Sequence, residues 1–297
     1  MNLWQEYLRP TNLSQAIQAF AEATGPILPV AGGTDLLLDL EQGRHSPVHT
    51  LLDVTSIQEM TALEVRGQEL FVGAAVPVNR IVLDPRVIEH AEALTEACNL
   101  IAGPQVRNVA TLGGNVAHAL PAADGTIALL ALNAQAEIAS APAAAPGEVT
   151  LRRVPFKELF LGPGKSSLKH GEELLVGFYL RLSQRGQASC FKRIMRPQGV
   201  ALPIINLAVW LERKEDVISQ MCLAVGPGGP TPWRGTEVES ALVGKSLNDE
   251  TMNTAIEALL GQVGFRSSAR RASSDYRRHI VTGLFKEVLE TAWKRAE

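Results

Sequence analysis

Two short segments carry the residue types needed to grip an anion, Ala31-Gly32-Gly33-Thr34-Asp35 and Thr111-Leu112-Gly113-Gly114-Asn115. A glycine pair lets the backbone turn through positive φ and lets N–H groups approach an anion with no Cβ in the way. Thr34 and Thr111 place hydroxyls beside the glycines. We read each turn as following an apolar, strand-like run, and the two together as halves of one phosphate cradle.

The elements that must hold these turns follow from the spacing of apolar residues. Thr11 or Asn12 offers an N-cap for a helix over 11–24, in which Leu13, Ile17 and Phe20 recur at helical spacing before Gly25-Pro26 stops it. A strand over 27–30 runs into the first glycine turn, and Leu36, Leu37, Leu38 and Leu40 fit a short helix ending near Gly43. Segments 49–54, 62–65 and 70–72 have strand composition, which makes 1–73 a small α+β unit. A second unit over 74–183 contains a helix over 86–98, an irregular lead-in over 101–110 to the second glycine turn, and a helix holding Ile127, Leu129, Leu130 and Leu132. Asp124 is placed to cap that last helix. A hairpin of 137–140 with 148–154 follows, across an Ala/Pro-rich spacer at 141–147. From 184 the pattern changes to strands near 189–194, 204–212 and 220–225, then to helices, the last capped by Ser274 or Asp275.

Bulk properties narrow the function. The chain has 297 residues, enough for two or three cores, with 46% apolar and 20% charged residues and a formal charge of −3. That charge gives no basic field for gripping nucleic acid. The opening Met1-Asn2-Leu3-Trp4-Gln5-Glu6 lacks the cationic and apolar regions of a signal peptide, and no run approaches a membrane span, so the expectation is a cytoplasmic protein with no membrane partner. Cys98, Cys190 and Cys222 are scattered and odd in number, which encodes neither a disulfide framework nor a metal cluster. His45 and His49 have helical metal-pair spacing, but Ser46-Pro47 between them breaks the helix that would align them.

Four other motifs fall away. Gly164-Lys165-Ser166 ends like a Walker A loop, but Leu159 stands where the first glycine is required and Pro163 removes a donor. Gly226-Pro227-Gly228-Gly229-Pro230 is a proline-interrupted loop at the end of a strand. Neither a Rossmann fingerprint between strand and helix nor a Gly-x-Ser-x-Gly elbow occurs.

With the glycine turns placed, the chain resembles the FAD-binding, or medium, subunits of the molybdenum hydroxylases, such as those of xanthine dehydrogenases and carbon monoxide dehydrogenases. The likeness spans nearly the whole chain. It is sharpest at Ala31 to Asp35, at the stretch from Gly103-Pro104-Gln105-Val106-Arg107-Asn108 to Asn115, at Pro121-Ala122-Ala123-Asp124 and at Ser274-Asp275-Tyr276-Arg277-Arg278-His279.

The resemblance implies an α+β fold with a two-subdomain FAD-binding region of vanillyl-alcohol-oxidase (PCMH-like) type over 1–183, followed by a C-terminal domain of antiparallel sheet and helices over 184–297. It implies FAD as cofactor, held by Val30, Ala31, Gly32, Gly33, Thr34, Asp35, Ile101, Thr111, Gly113, Gly114 and Asn115. Asp124 would lie at the ribityl chain or flavin edge, the Leu175 main chain would meet the pyrimidine edge, and Lys192 would stand as a cation near that edge. On the residues alone, Asp124 can equally be a helix cap and Lys192 a solvated strand charge. The implied partners are a large molybdopterin subunit and a small [2Fe–2S] subunit, in a hetero-oligomer. Some relatives carry acidic residues in the loop after the Lys192 strand, where this chain has Arg196-Pro197-Gln198-Gly199, so NAD+ is not carried over as acceptor. The cysteine-bearing insertion of benzoyl-CoA-type reductases is also missing. Two other readings stay open: a self-contained FAD oxidoreductase, and a flavin-free assembly module.

Overall fold

The computed structural model describes residues 3–142, 148–196, 202–269 and 271–297. Most of the 141–147 spacer, and Pro197, Gln198 and Gly199 of the loop after the Lys192 strand, lie outside the described residues. A three-stranded parallel sheet opens the fold, with Thr50–Asp53 between Glu6–Leu8 and Ile27–Val30. Beside it runs the helix Leu13–Glu22, started by Asn12, whose side chain accepts from the Gln15 amide at 2.9 Å. Leu13, Ala16, Ile17 and Phe20 form its buried face, as their spacing requires.

The second sheet is antiparallel, in the order Leu63–Arg66, Glu69–Gly73, Glu173–Arg181, Gln135–Ser140, Thr150–Pro155. Its pairing crosses the position expected as a subdomain boundary, 73. The strands Leu63–Arg66 and Glu69–Gly73 belong with the later strands, because Glu173–Arg181 pairs with Glu69–Gly73 across a long stretch of chain that no local pattern reveals. The helix expected over 86–98 is two helices, Pro85–His90 and Glu92–Leu100, broken at Ala91 (φ −147°).

The third sheet is antiparallel too, in the order Gln187–Met195, Pro203–Lys214, Val217–Gly226, Trp233–Arg234. One of its faces packs on the terminal helix Ser274–Arg295, through Leu207, Val209, Leu223, Val281, Phe285 and Leu289. Its other face, through Phe191, Ala208 and Ala224, joins the core of the first lobe, which carries the first two sheets, the third sheet and the helices after it making the second lobe. Between the two lobes lies the helix Asp124–Ala131, buried at every residue, which is why it is apolar all round.

The break at Ala91 has a physical reason in the edge strand Gln187–Met195. Ser189 Oγ accepts from the Ala93 amide at 3.0 Å, and the Ser189 amide donates to Glu92 at 3.3 Å. The Phe191 amide donates to Glu96 at 2.6 Å, and Glu96 also pairs with Arg295 at 2.6 Å. Two helix carboxylates thus take up edge amides that would otherwise be open to another strand. Glu96→Ala strips the Phe191 amide and Arg295 of their shared acceptor. We expect a loss of about 1–3 kcal/mol in a denaturant titration, with Glu96→Gln recovering part of it.

Candidate functional site

Between the lobes lies a cavity of about 1060 Å³. Val30, Ala31, Gly32, Gly33, Thr34, Asp35, Ile101, Thr111, Gly113, Gly114, Asn115, Asp124 and Leu175 all line it. Lys192 does not.

The first glycine turn follows the strand Ile27–Val30 as expected and leads into the helix Leu36–Glu41. Gly33 has φ +67°, a conformation that L side chains rarely adopt. Among the described residues, none accepts a hydrogen bond from the amides of Gly32, Gly33, Thr34 or Asp35. A run of unpartnered N–H groups around a left-handed glycine forms an anion-binding concavity.

The second turn differs from the expected half-cradle. No strand precedes it; a short helix, Pro104–Arg107, does, and Thr111 caps another, Leu112–Ala117. Its amides from Leu112 onward are already engaged: Leu112 donates to Val76 O at 3.4 Å, Gly113 to Ala74 O at 2.9 Å and Gly114 to Thr111 Oγ1 at 3.1 Å. The Thr111 hydroxyl is therefore a helix cap, and the residue is buried. The chain just before this turn is pressed close to the first, since a Cβ on Gly32 would overlap the Val109 carbonyl, and the turn itself lies on the backbone of Ala74, which a Cβ on Gly113 would overlap. A Cβ on Gly114 would meet only Thr111 Oγ1, at 3.3 Å, and otherwise faces open space. Asn115 Oδ1 is buried without a protein partner.

The two turns also meet through charge, since His118 Nδ1 stands 3.7 Å from Asp35 Oδ2. The Asp35 contact raises the imidazole pKa against the opposing effect of burial, and His118 holds the Asp35 carboxyl below its ordinary value. With the Asp35 pKa lowered and the histidine pKa raised, the pair is fully charged from the ordinary carboxylate range up to the ordinary histidine range, and it is lost as pH rises through the raised histidine value or falls through the lowered carboxyl value.

At the cavity floor, Asp124 is the first residue of its helix, with Ala123 as the cap residue, so the capping role expected for its side chain is not the observed one. Its carboxylate pairs instead with Arg193 and accepts from Asn206 Nδ2 at 2.7 Å. The Asp124 and Arg193 side chains are 5% and 8% exposed. Burial pushes the Asp124 carboxyl up, with Arg193 and Asn206 opposing. Asn206 Nδ2 also reaches Ala122 O at 3.0 Å, so one amide ties the helix start to the second lobe.

The cation expected near the flavin edge, Lys192, stands off the cavity, and its sequence neighbour Arg193 lines it. Lys192 pairs with Glu287 on the terminal helix. Side chains alternate along a strand, and Phe191, buried in the core shared with the first lobe, puts Arg193 on the cavity side and Lys192 on the other. Arg193, Asn206 and His118 were missed by sequence reasoning; the alternation beside Phe191 was the available signal for the first.

Comparison with known proteins now bears on this geometry. Residues 3–180 match the family model for the FAD binding domain in molybdopterin dehydrogenase. The chain belongs to that family. Residues 189–292 match the C-terminal domain of CO dehydrogenase flavoproteins. A xanthine dehydrogenase FAD-binding subunit of Escherichia coli O157:H7 is 32% identical over 289 residues, covering 96% of this chain and 95% of that one. The carbon monoxide dehydrogenase medium chain of Hydrogenophaga pseudoflava is 26% identical over 290 residues, covering 98% and 97%. Among solved structures, a Hydrogenophaga pseudoflava carbon monoxide dehydrogenase chain superposes with a TM-score of 0.89 at 25% identity, covering 99% of this chain and 98% of that one. The chain is thus an FAD-binding subunit of the molybdenum hydroxylase family, with the mixed helix-and-sheet fold of the medium subunits. Among the described residues, no helix is long and apolar enough to cross a membrane.

Two substitutions follow from the buried pair. Asp124→Ala leaves Arg193 buried without its counter-charge and is expected to cost about 3–5 kcal/mol of stability by calorimetry or denaturant titration. The double variant Asp124→Asn/Arg193→Met, which removes both charges, should recover much of that loss. Lys192→Met, by contrast, should leave cofactor retention and flavin potential as they are in the wild type.

Proposed function

We propose that the chain holds FAD noncovalently in the cavity and passes electrons from [2Fe–2S] clusters on a small partner subunit to an external acceptor, a large molybdopterin subunit being the site of substrate oxidation. The observation that carries the reading is the run of four unpartnered amides, Gly32 to Asp35, at the wall of a cavity of dinucleotide size in a chain of this family. When bound, the flavin supplies one- and two-electron transfer.

The chain's own residues have separable tasks in this reading. The Gly32 to Asp35 amides hold the diphosphate, and Gly114 keeps the facing wall clear of side chain. Asn115 offers its free carbonyl oxygen to a hydroxyl of the bound cofactor. Leu175, where the strand Glu173–Arg181 shifts register against its neighbour between Leu175 and Gly177, presents main chain to the flavin. Arg193 and Asp124 put a mutually neutralised polar pair beside it, so that the ring meets hydrogen-bonding groups with little net charge. No acid–base group is assigned to substrate chemistry.

The purified protein is expected to be yellow and to release FAD, not FMN, on denaturation. Gly114→Val should strip the cofactor while leaving the fold intact, because its side chain enters space that is open in the protein alone. Circular dichroism and flavin content, measured together, separate the two effects. Native purification should recover a molybdenum subunit and an iron–sulfur subunit. A colourless protein after reconstitution with FAD would support the flavin-free module, and a homo-oligomer that oxidises an organic substrate unaided would support the self-contained oxidase.

A further inference from the structure

The anion cradle contains a carboxylate. Asp35 supplies the last of the four unpartnered amides of the first glycine turn, and the residue lines the cavity beside them. A charge of that sign opposes a doubly charged diphosphate at close range. The answering group stands across the gap between the two turns: His118, the residue that ends the helix Leu112–Ala117, with Nδ1 3.7 Å from Asp35 Oδ2.

The other charges at this end of the cavity are disposed differently. Asp39, one turn further along the helix Leu36–Glu41, pairs with Arg44 at 3.0 Å and pulls on His118 less than Asp35 does. Arg44 in turn adds a lesser attraction for Asp35. Glu173 pairs with Arg152 at 3.0 Å. His45, Lys169 and His170 also line the cavity. The hairpin that carries the exposed Lys165 reaches the residue after His118, where the Gly164 amide donates to Ala119 O at 3.0 Å. Among the described residues, Asp35 forms an ion pair with His118 and with no other group.

The two protonation states of His118 therefore present different turns to a ligand. As imidazolium it neutralises the Asp35 carboxylate, and the free amides act on an anion unopposed. As neutral imidazole it leaves that carboxylate charged, because a histidine loses its proton well above the range in which a carboxyl takes one up. A bound anion favours the charged imidazole in its turn, so proton and anion binding reinforce each other.

We propose that His118 makes the first glycine turn competent to hold a diphosphate by cancelling the Asp35 carboxylate, so that cofactor affinity falls as the imidazole loses its proton. The inference rests on the FAD reading for the identity of the anion. His118 acts through Asp35 and is needed because the turn carries that residue; a turn with a neutral side chain at position 35 has nothing to cancel.

FAD affinity of the cofactor-stripped chain, followed by flavin fluorescence from about pH 5.5 to 9, tests it. The wild type should bind more weakly by roughly three- to tenfold as pH rises through the raised histidine value, the charges being partly screened. His118→Gln should bind with the weaker affinity throughout and show no such step. Asp35→Asn should bind with the stronger affinity throughout. The decisive comparison is Asp35→Asn/His118→Gln, which should recover the affinity that His118→Gln loses, with circular dichroism showing all four proteins folded. A double variant that binds no better than His118→Gln would make the pair a structural tie and overturn the proposal. A pH step that persists in His118→Gln would overturn it too, since it would belong to His45 or His170. Failure of the FAD reading shows separately, as chains that take up no flavin at any pH. ADP-ribose, whose diphosphate has a constant charge over this range, then serves as the probe in the same four proteins, and equal binding by all four, or none, would overturn the proposal.

Discussion

A carboxylate sealed between two lobes must find its counter-charge there, and Asp124 finds it on the opposite lobe, in Arg193, with Asn206 supplying a second donor. Neither side chain could be buried alone without an unpaired charge in the interior. The pair therefore specifies how the lobes meet. Because Asp124 begins a helix that is buried throughout, fixing its carboxylate fixes that helix against the third sheet. The strand bearing Arg193 is fixed again from its edge, where Glu92 and Glu96 take its amides. The cavity walls are thus set by interactions that lie beneath it.

On that footing the two glycine turns divide the work unequally. The second spends its amides on Val76, Ala74 and its own cap, which secures it as a wall. The first leaves its amides free, and it can do so because Gly32 lies directly on the Val109 backbone with no side chain between. Gly32 brings two backbones together, Gly33 takes a positive φ at a point where a Cβ would also crowd the Leu37 side chain, and Gly114 alone leaves the space beside it open. Equivalent sequence signatures serve different physical ends.

What the sequence made legible was local. The helix Leu13–Glu22, the strand Ile27–Val30 and the three long strands of the second lobe followed from periodicity and caps, and the segments lining the cavity followed from glycine chemistry and resemblance. What stayed hidden depended on distant partners. Ala91 breaks a helix because Ser189 caps the next one from another sheet. Glu69–Gly73 leaves its sequence neighbours because Glu173–Arg181 pairs with it. Asp124 looked like a cap because the arginine that claims it lies on the other lobe. Whether Lys192 or Arg193 lines the cavity turns on which face of a strand each takes, a choice that alternation from Phe191 decides once that face is known to be buried against the first lobe.

Charge completes the logic of the cavity. Its first-lobe wall offers amide dipoles, its floor a neutralised ion pair, and its second-lobe wall arginines, Arg266, Arg271 and Arg277, that form no ion pair among the described residues. Fields of one sign in a low-dielectric cleft draw anions strongly, so the floor pair has a second consequence. Asp124 answers the charge of Arg193 where that arginine meets the cavity, so the residue that joins the lobes also leaves little net charge between the cavity's polar walls.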